Sequence, residues 1–258
     1  MTKQLLIYES AVTVSVARHA NVSLEPAADY AFSADINAVP LMAVEFLRAA
    51  TEYAIVFTQA GEDVIPAAVL GVRGNQNLYL SADQKWQAQY IPAFIRRYPF
   101  VFSSSADGNT LTLCIDESHP GVNRDGRGER LFGEDGKPTA YVERVLKFLQ
   151  EYQAHFERTR QFGRRIKQLG LLESMQAQVT TPKGEKLSLS GFLSVSRAKL
   201  RALDGEALAA RANKDELELL YLQLHSMRNF SDVKDRLIGT LKEEAAPVVT
   251  AAAAETVQ

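Results

Sequence analysis

Residues 86–102 read WQAQYIPAFIRRYPFVF. The stretch holds the only tryptophan, Trp86, and five more aromatics: Tyr90, Phe94, Tyr98, Phe100 and Phe102. Six of the chain's 22 aromatics thus fall in 17 residues, enough to make this a wall of a core rather than a surface run. Pro92 suits the first position of a short helix, because its missing N–H has no partner there anyway, and Pro99 cannot continue one. Tyr90, Phe94 and Tyr98 recur at steps of four, and Phe100 and Phe102 then alternate as in a strand. The unit reads as helix, stop, buried strand. Arg96 and Arg97 lie inside it, and an apolar wall carrying two guanidinium groups must give them partners or water. One reading is a structural ion pair with acids such as Asp116 or Glu45; the other is bidentate capture of a carboxylate or phosphate.

Outward from this unit, Asp107-Gly108-Asn109 is a hairpin signal joining Phe100–Ser103 to Thr110–Ile115. Upstream, strands are expected at Tyr53–Thr58, Ile65–Val72 and Asn77–Leu80, with turns at Gly61 and Gly74. A helix is expected from Pro40 to Ala50, a short strand over 29–33, and one or two strands over 4–16. Downstream, residues 116–138 carry ten charged side chains, five glycines and two prolines with little periodicity, so they form a long loop, functional or mobile. From Thr139, a plausible N-cap, to Leu169, apolar residues at alternating steps of three and four mark an amphipathic helix of some eight turns, closed by Gly170. Its last third is basic, with Arg158, Arg160, Arg164, Arg165 and Lys167, as the negative end of a helix dipole favours. A second hairpin, Ala177–Thr181 with Lys186–Phe192, turns at Pro182-Lys183-Gly184. Four helices follow, each opening at a Ser or Asp able to cap it: Ser196–Ala202, Asp204–Ala212, Asp215–Arg228 and Ser231 to about Glu243.

The fold class is therefore α+β: a mixed or antiparallel N-terminal sheet, one long amphipathic helix, a small hairpin and a C-terminal helical cluster. The domain reading is 1–170 for the sheet, aromatic unit and long helix, 171–245 for the hairpin and helices packed on it, and 246–258, low in complexity, as a disordered tail.

Composition excludes several function classes. A net charge of −2 and a pI near 6.1 give no global pull toward nucleic acid. The single cysteine, Cys114, excludes an intrachain disulfide framework and a cysteine-rich metal site. No secretory leader and no run long enough to span a membrane is read, so a cytoplasmic protein without membrane insertion is expected.

Motifs fail for physical reasons. Gly126 and Gly128 begin a dinucleotide loop, but Leu131 stands where the third glycine belongs. Asn123, Asp125, Gly128 and Glu134 fit a calcium loop, but Arg127 occupies a ligand position and repels the ion. Ser196-x-x-Lys199 and Ser231-x-x-Lys234 open helices and read as caps. His155 and Glu157 point to nearly opposite sides of the long helix. Asp116, Glu117 and His119 lie just past a predicted strand; with distant His19 or His225 they could form a carboxylate and histidine constellation, or else a solvated loop entry. His225 reads as a core histidine. No motif calls for a cofactor or a metal. The ligand-binding candidates are Arg96, Arg97, Trp86, Tyr90, Asp116, Glu117 and His119.

Several stretches together resemble the SapC family, named for a bacterial surface-layer-associated protein: VPLMAVEF after Asn37, LGVRGNQNLYL at 70–80, W-x-A-x-YIPAFIRRYPFVF, CIDE at 114–117, GERLFGEDGKP at 128–138, FLQEYQ, RTRQF, and LYLQLHSMRN at 220–229. VSRAKL at 195–200 departs from the acidic stretch that relatives carry there. The resemblance implies an accessory role with no established catalytic activity. The two arginines within apolar surroundings add the expectation of a non-catalytic binding protein that recognises an acidic or peptide-like ligand through Arg96, Arg97 and the 116–138 loop, with a protein or peptide as partner. The alternatives are a surface-layer structural protein exported by a non-classical route, and an enzyme using the Asp/Glu/His cluster.

Overall fold

The computed structural model describes residues 6–105, 110–181 and 183–245. In chain order its elements are β1 (Ala11–Thr13), α1 (Val16–His19), β2 (Ser23–Leu24), β3 (Ala38–Pro40), α2 (Phe46–Ala49), β4 (Ile55–Ala60), β5 (Asp63–Val69), α3 (Ala93–Arg96), β6 (Phe100–Ser104) and β7 (Leu111–Asp116). They continue as β8 (Val122–Asn123), β9 (Glu129–Arg130), α4 (Ala140–Gln168), β10 (Leu172–Thr180), β11 (Lys186–Val195), α5 (Arg197–Arg201), α6 (Gly205–Ala212), α7 (Glu216–Ser226) and α8 (Phe230–Ala245). The strands form three antiparallel sheets, ordered β1-β7-β6, β10-β11-β4-β5-β3 and β8-β2-β9. The fold is α+β, as the sequence pattern implies.

The apolar stripe of α4 runs its full length, about 43 Å at 1.5 Å per residue. The helix therefore serves two sheets. Its first half, through Val142 and Leu149, shares a core with Phe100 of β6, Ile115 of β7 and Leu131. Its second half places Phe162 against Phe46 and Phe57, under the five-stranded sheet. Gly163 makes that approach: a Cβ built there would stand 1.8 Å from the Val64 carbonyl oxygen, so only glycine lets the helix backbone lie on β5. The helix ends in a Schellman cap, with Leu171 N–H bonded to Ile166 C=O at 3.1 Å and Gly170 N–H to Lys167 C=O at 2.9 Å, Gly170 at φ 66°. Buried Gln223 of α7 donates to Ile55 O (2.9 Å) and accepts from Val195 N (3.1 Å), fastening the C-terminal helices to β4 and β11 together.

The aromatic unit forms as read: one turn of helix (α3), the Tyr98–Pro99 bond, then β6, which pairs with β7 from Phe100↔Ile115 to Ser104↔Leu111. Several local expectations are corrected. Residues 38–40 are an edge strand, where Pro40 costs no ladder hydrogen bond, and the helical turn starts only at Ala43. Residues 31–33 make a 3₁₀ turn, not a strand, and Asn77–Leu80 contributes only a bridge from Leu80 to Trp86. Residues 4–16 give a single three-residue strand among the described residues. The 116–138 loop carries β8 and β9, which clasp β2 between them. Thr139 does not cap α4 with its side chain, whose Oγ1 donates to Arg130 O instead (2.6 Å), and of the proposed Ser and Asp caps only Asp204 accepts from its helix, from Ala207 N at 2.7 Å. The Asp107-Gly108-Asn109 turn, Pro182 and the tail from residue 246 lie outside the described residues.

Candidate functional site

The sequence places Arg96 and Arg97 at the end of α3, where the chain turns into β6, and α4 crosses beside them. Arg97 turns inward. Its guanidinium carbon lies 4.3 Å from the ring centroid of Phe94, 4.9 Å from Tyr152 and 5.7 Å from Tyr8. Three ring faces thus hold the cation, each with its negative quadrupole. Burial pushes the Tyr152 phenol up to about 12 while the Arg97 charge pulls it the other way. Arg97 Nε is buried without a hydrogen-bond partner. Arg96 is exposed; its Nε donates to Ile91 O (2.9 Å), and its guanidinium lies 5.9 Å from Tyr90 and 5.4 Å from Phe148. Arg144 of α4 joins them from the opposite wall, 5.9 Å from the Tyr141 ring. Together the three arginines line a cavity of about 240 Å³ floored by Phe100, Val145 and Phe148.

Among the described residues no carboxylate forms an ion pair with Arg96, Arg97 or Arg144. The structural pairing with Glu45 or Asp116 is therefore not made, because both acids are spent on other donors. Buried Glu45 accepts from Met42 N (2.7 Å), Ala93 N (2.8 Å) and the Tyr90 hydroxyl (2.7 Å), which fixes the turn before α2 against α3. Buried Asp116 accepts from Glu9 N, Ser10 N, Ser118 N and Ser118 Oγ, tying the N-terminal segment to the end of β7.

The arginine cavity is the first of three that share lining residues in series, and the three together make up the groove. Arg96 and Phe148 also line a neighbouring cavity of about 460 Å³ with Val44, Leu47, Tyr90 and His155. Leu47, Arg48 and Tyr90 continue into a third, of about 590 Å³, that ends at Gln89 and Glu52. Glu52 is spent as well, its two oxygens accepting from Gln89 N and Tyr90 N at 2.8 Å each. Val44 and Leu47, 62% and 65% exposed, are the most exposed large apolar side chains among the described residues.

The other candidates go elsewhere. Trp86 stacks among Tyr30 and Tyr79 and donates to the Tyr53 hydroxyl at 2.8 Å, a core role. Glu117 forms a two-point pair with exposed Arg18, which holds its carboxyl below the usual range. Its Oε1 also lies 3.2 Å from Nε2 of fully buried His19, without the alignment of a hydrogen bond. His119 is buried on the other side of the loop: its Nδ1 accepts from Gly121 N (2.8 Å), which puts the proton of the neutral ring on Nε2, and burial holds its pKa down. It borders a cavity of about 440 Å³ with Tyr98, Phe32, Glu9, Glu25 and Asp29, a setting that repels anions. His225 is exposed on α7, not a core histidine. The Asp/Glu/His constellation is thus divided: Glu117 stands with His19, His119 with Tyr98, and Asp116 is occupied between them. None of residues 116–138 lines the arginine groove. Among the described residues no cluster of three His, Cys, Asp or Glu side chains could hold a metal ion, and no helix is long and apolar enough to cross a membrane.

Sequence reading missed Arg144, Phe148 and Leu47. The apolar period of α4 marks Tyr141, Val145, Phe148 and Tyr152 as one face, but the register that sets this face beside Arg96 is tertiary.

Fold and groove together define an α+β protein with an arginine-lined surface groove along its longest helix. The chain belongs to the SapC family, whose model matches residues 14–233. No curated protein and no solved structure matches it.

Proposed function

We propose that this chain is a non-catalytic binding protein whose ligand presents a carboxylate to Arg96, Arg97 and Arg144. One observation carries the reading: three guanidinium groups line one small, mostly apolar cavity, and among the described residues no carboxylate pairs with any of them. Unpaired cations crowded against aromatic faces repel one another, and a bidentate acid relieves that repulsion with short, charge-assisted hydrogen bonds. At Arg97, partly buried among three rings, the lower local dielectric strengthens the attraction. Of the acids on the neighbouring cavities, Glu45 and Glu52 already bond to backbone N–H groups, and Glu151, exposed on α4, makes no ion pair with the three arginines among the described residues.

The test uses a small aromatic acid, phenylacetate, titrated into the protein and followed by NMR. Saturable shifts at Arg96, Arg97 and Phe148 are expected, with affinity at least tenfold weaker in Arg96→Gln and in Arg144→Gln. Both residues are exposed, so folding is preserved. Binding that is absent, or indifferent to both substitutions, overturns the reading.

A further inference from the structure

The groove has a polarity that a bare carboxylate does not use. Its cations without an acid beside them on the lining gather at one end, Arg96, Arg97 and Arg144, whereas Arg48 in the middle and at the far end shares the lining with Glu151 and Glu52. Its middle is apolar, built from Val44, Leu47, Tyr90 and Phe148. Its far end is polar, at Thr51 and Gln89. One wall is a single face of α4 from Arg144 to His155, eleven residue steps, or about 16 Å of helix. That is the length of about five extended residues.

Resting on the carboxylate reading above, we infer that the occupant is the free C-terminal end of a peptide, its terminal carboxylate on the three arginines and its last apolar side chains on Leu47 and Val44. Charge complementarity sets the direction: among the described residues the terminal cavity of about 240 Å³ has three arginines and no acid on its lining, while the other two set Arg48 beside Glu151 and Glu52, so the anion belongs at the ligand's end rather than along its body. The exposure of Val44 and Leu47 supplies the second argument, since two such side chains on one helical turn leave apolar area for a partner to cover. A peptide fits better than an alkyl acid because polar groups line the rims, with Arg48, Glu151 and His155 along the middle, and can meet backbone N–H and C=O groups. End capture of this kind is a recurring mode of peptide recognition.

The experiment compares two randomised heptapeptide libraries on the full chain, one displayed with a free C-terminus and one with the C-terminus amidated. Enrichment from the free-acid library alone is expected, with apolar residues near the end. Selected peptides should bind at least tenfold more weakly as amides, and at least fivefold more weakly to Leu47→Asp, an exposed substitution. Enrichment of internally acidic peptides that bind equally well as amides overturns the C-terminal assignment while the carboxylate reading stands. So does phenylacetate binding without selection of any peptide. Failure of both phenylacetate and the libraries removes both.

Discussion

Two groups of arginines lie along α4, and they do opposite things. Toward its C-terminus, Arg160 and Arg164 reach Asp63 at the start of β5 (3.9 and 2.5 Å), and Arg165 reaches Glu216 of α7 (2.5 Å), which Arg211 also approaches at 3.2 Å. Toward its N-terminus, Arg144 with Arg96 and Arg97 meets ring faces and, among the described residues, no acid. The paired group fastens the helix to the sheet and to α7. Among the described residues the unpaired group has no such partner, and the proposed carboxylate site rests on that difference. Number of basic residues does not separate the two; the presence of a carboxylate opposite does.

The largest break in this comparison is Glu216→Ala. Glu216 is 3% exposed and holds Arg165 and largely buried Arg211, so its removal leaves two cations without a carboxylate. A loss of about 3–5 kcal/mol in urea unfolding is expected. A loss below about 1 kcal/mol would show that the pairing is incidental. Next comes Gly163→Ala, which sets a methyl against the Val64 carbonyl between Arg160 and Arg164. The helix must lift, at a cost of about 1–3 kcal/mol, and chemical denaturation measures it. Arg97→Met should behave differently. It exchanges a cation among three rings for an apolar chain of similar reach, so stability should move by no more than about 1–2 kcal/mol in either direction. Phenylacetate affinity should nevertheless fall at least tenfold. A stability loss as large as that of Glu216→Ala would put Arg97 with the structural group.

The paired group was partly legible in the sequence and the unpaired one was not, for a physical reason. A basic run at the end of a helix pattern is explained by the dipole before any partner is known, and the structure adds acids from β5 and α7. The aromatic unit was legible because proline and aromatic spacing act locally: α3, its stop and β6 fall where Pro92, Pro99 and the step of two at Phe100 put them. Residues 38–50 were misread because Pro40 suits an edge strand as well as a helix start, and only pairing with β5 decides between them. Asp116 and His119 looked like partners because they are three residues apart; a buried turn that spends Asp116 on backbone donors and directs His119 to Gly121 leaves no trace in residue order. The groove depends on how far α4 lies from the Val44–Arg48 turn, a distance that no local pattern encodes.

The smallest expected effect concerns acid, and it separates titrating structure from a site that does not titrate. His119 is held below its ordinary pKa of about 6.5 by burial, against the pull of Asp116. As pH falls through 6.5 the unfolded chain takes up this proton before the folded one does, so stability declines until the folded pKa is passed. His119→Asn should flatten the urea midpoint between pH 7 and that point. Glu117 acts lower: Arg18 depresses its carboxyl, so the stability it contributes is present above its unfolded pKa and is lost as pH falls through the folded one, and Glu117→Gln should remove that step. The arginines keep their charge throughout. Among the described residues no carboxylate or imidazole lines the cavity the three arginines share, and in His155→Asn, which takes the imidazole out of the adjoining cavity, phenylacetate affinity measured in the folded range should stay level until the probe's own carboxyl takes up a proton. A binding curve that instead follows the His119 step would couple the acidic cavity to the groove and end the separation drawn between them.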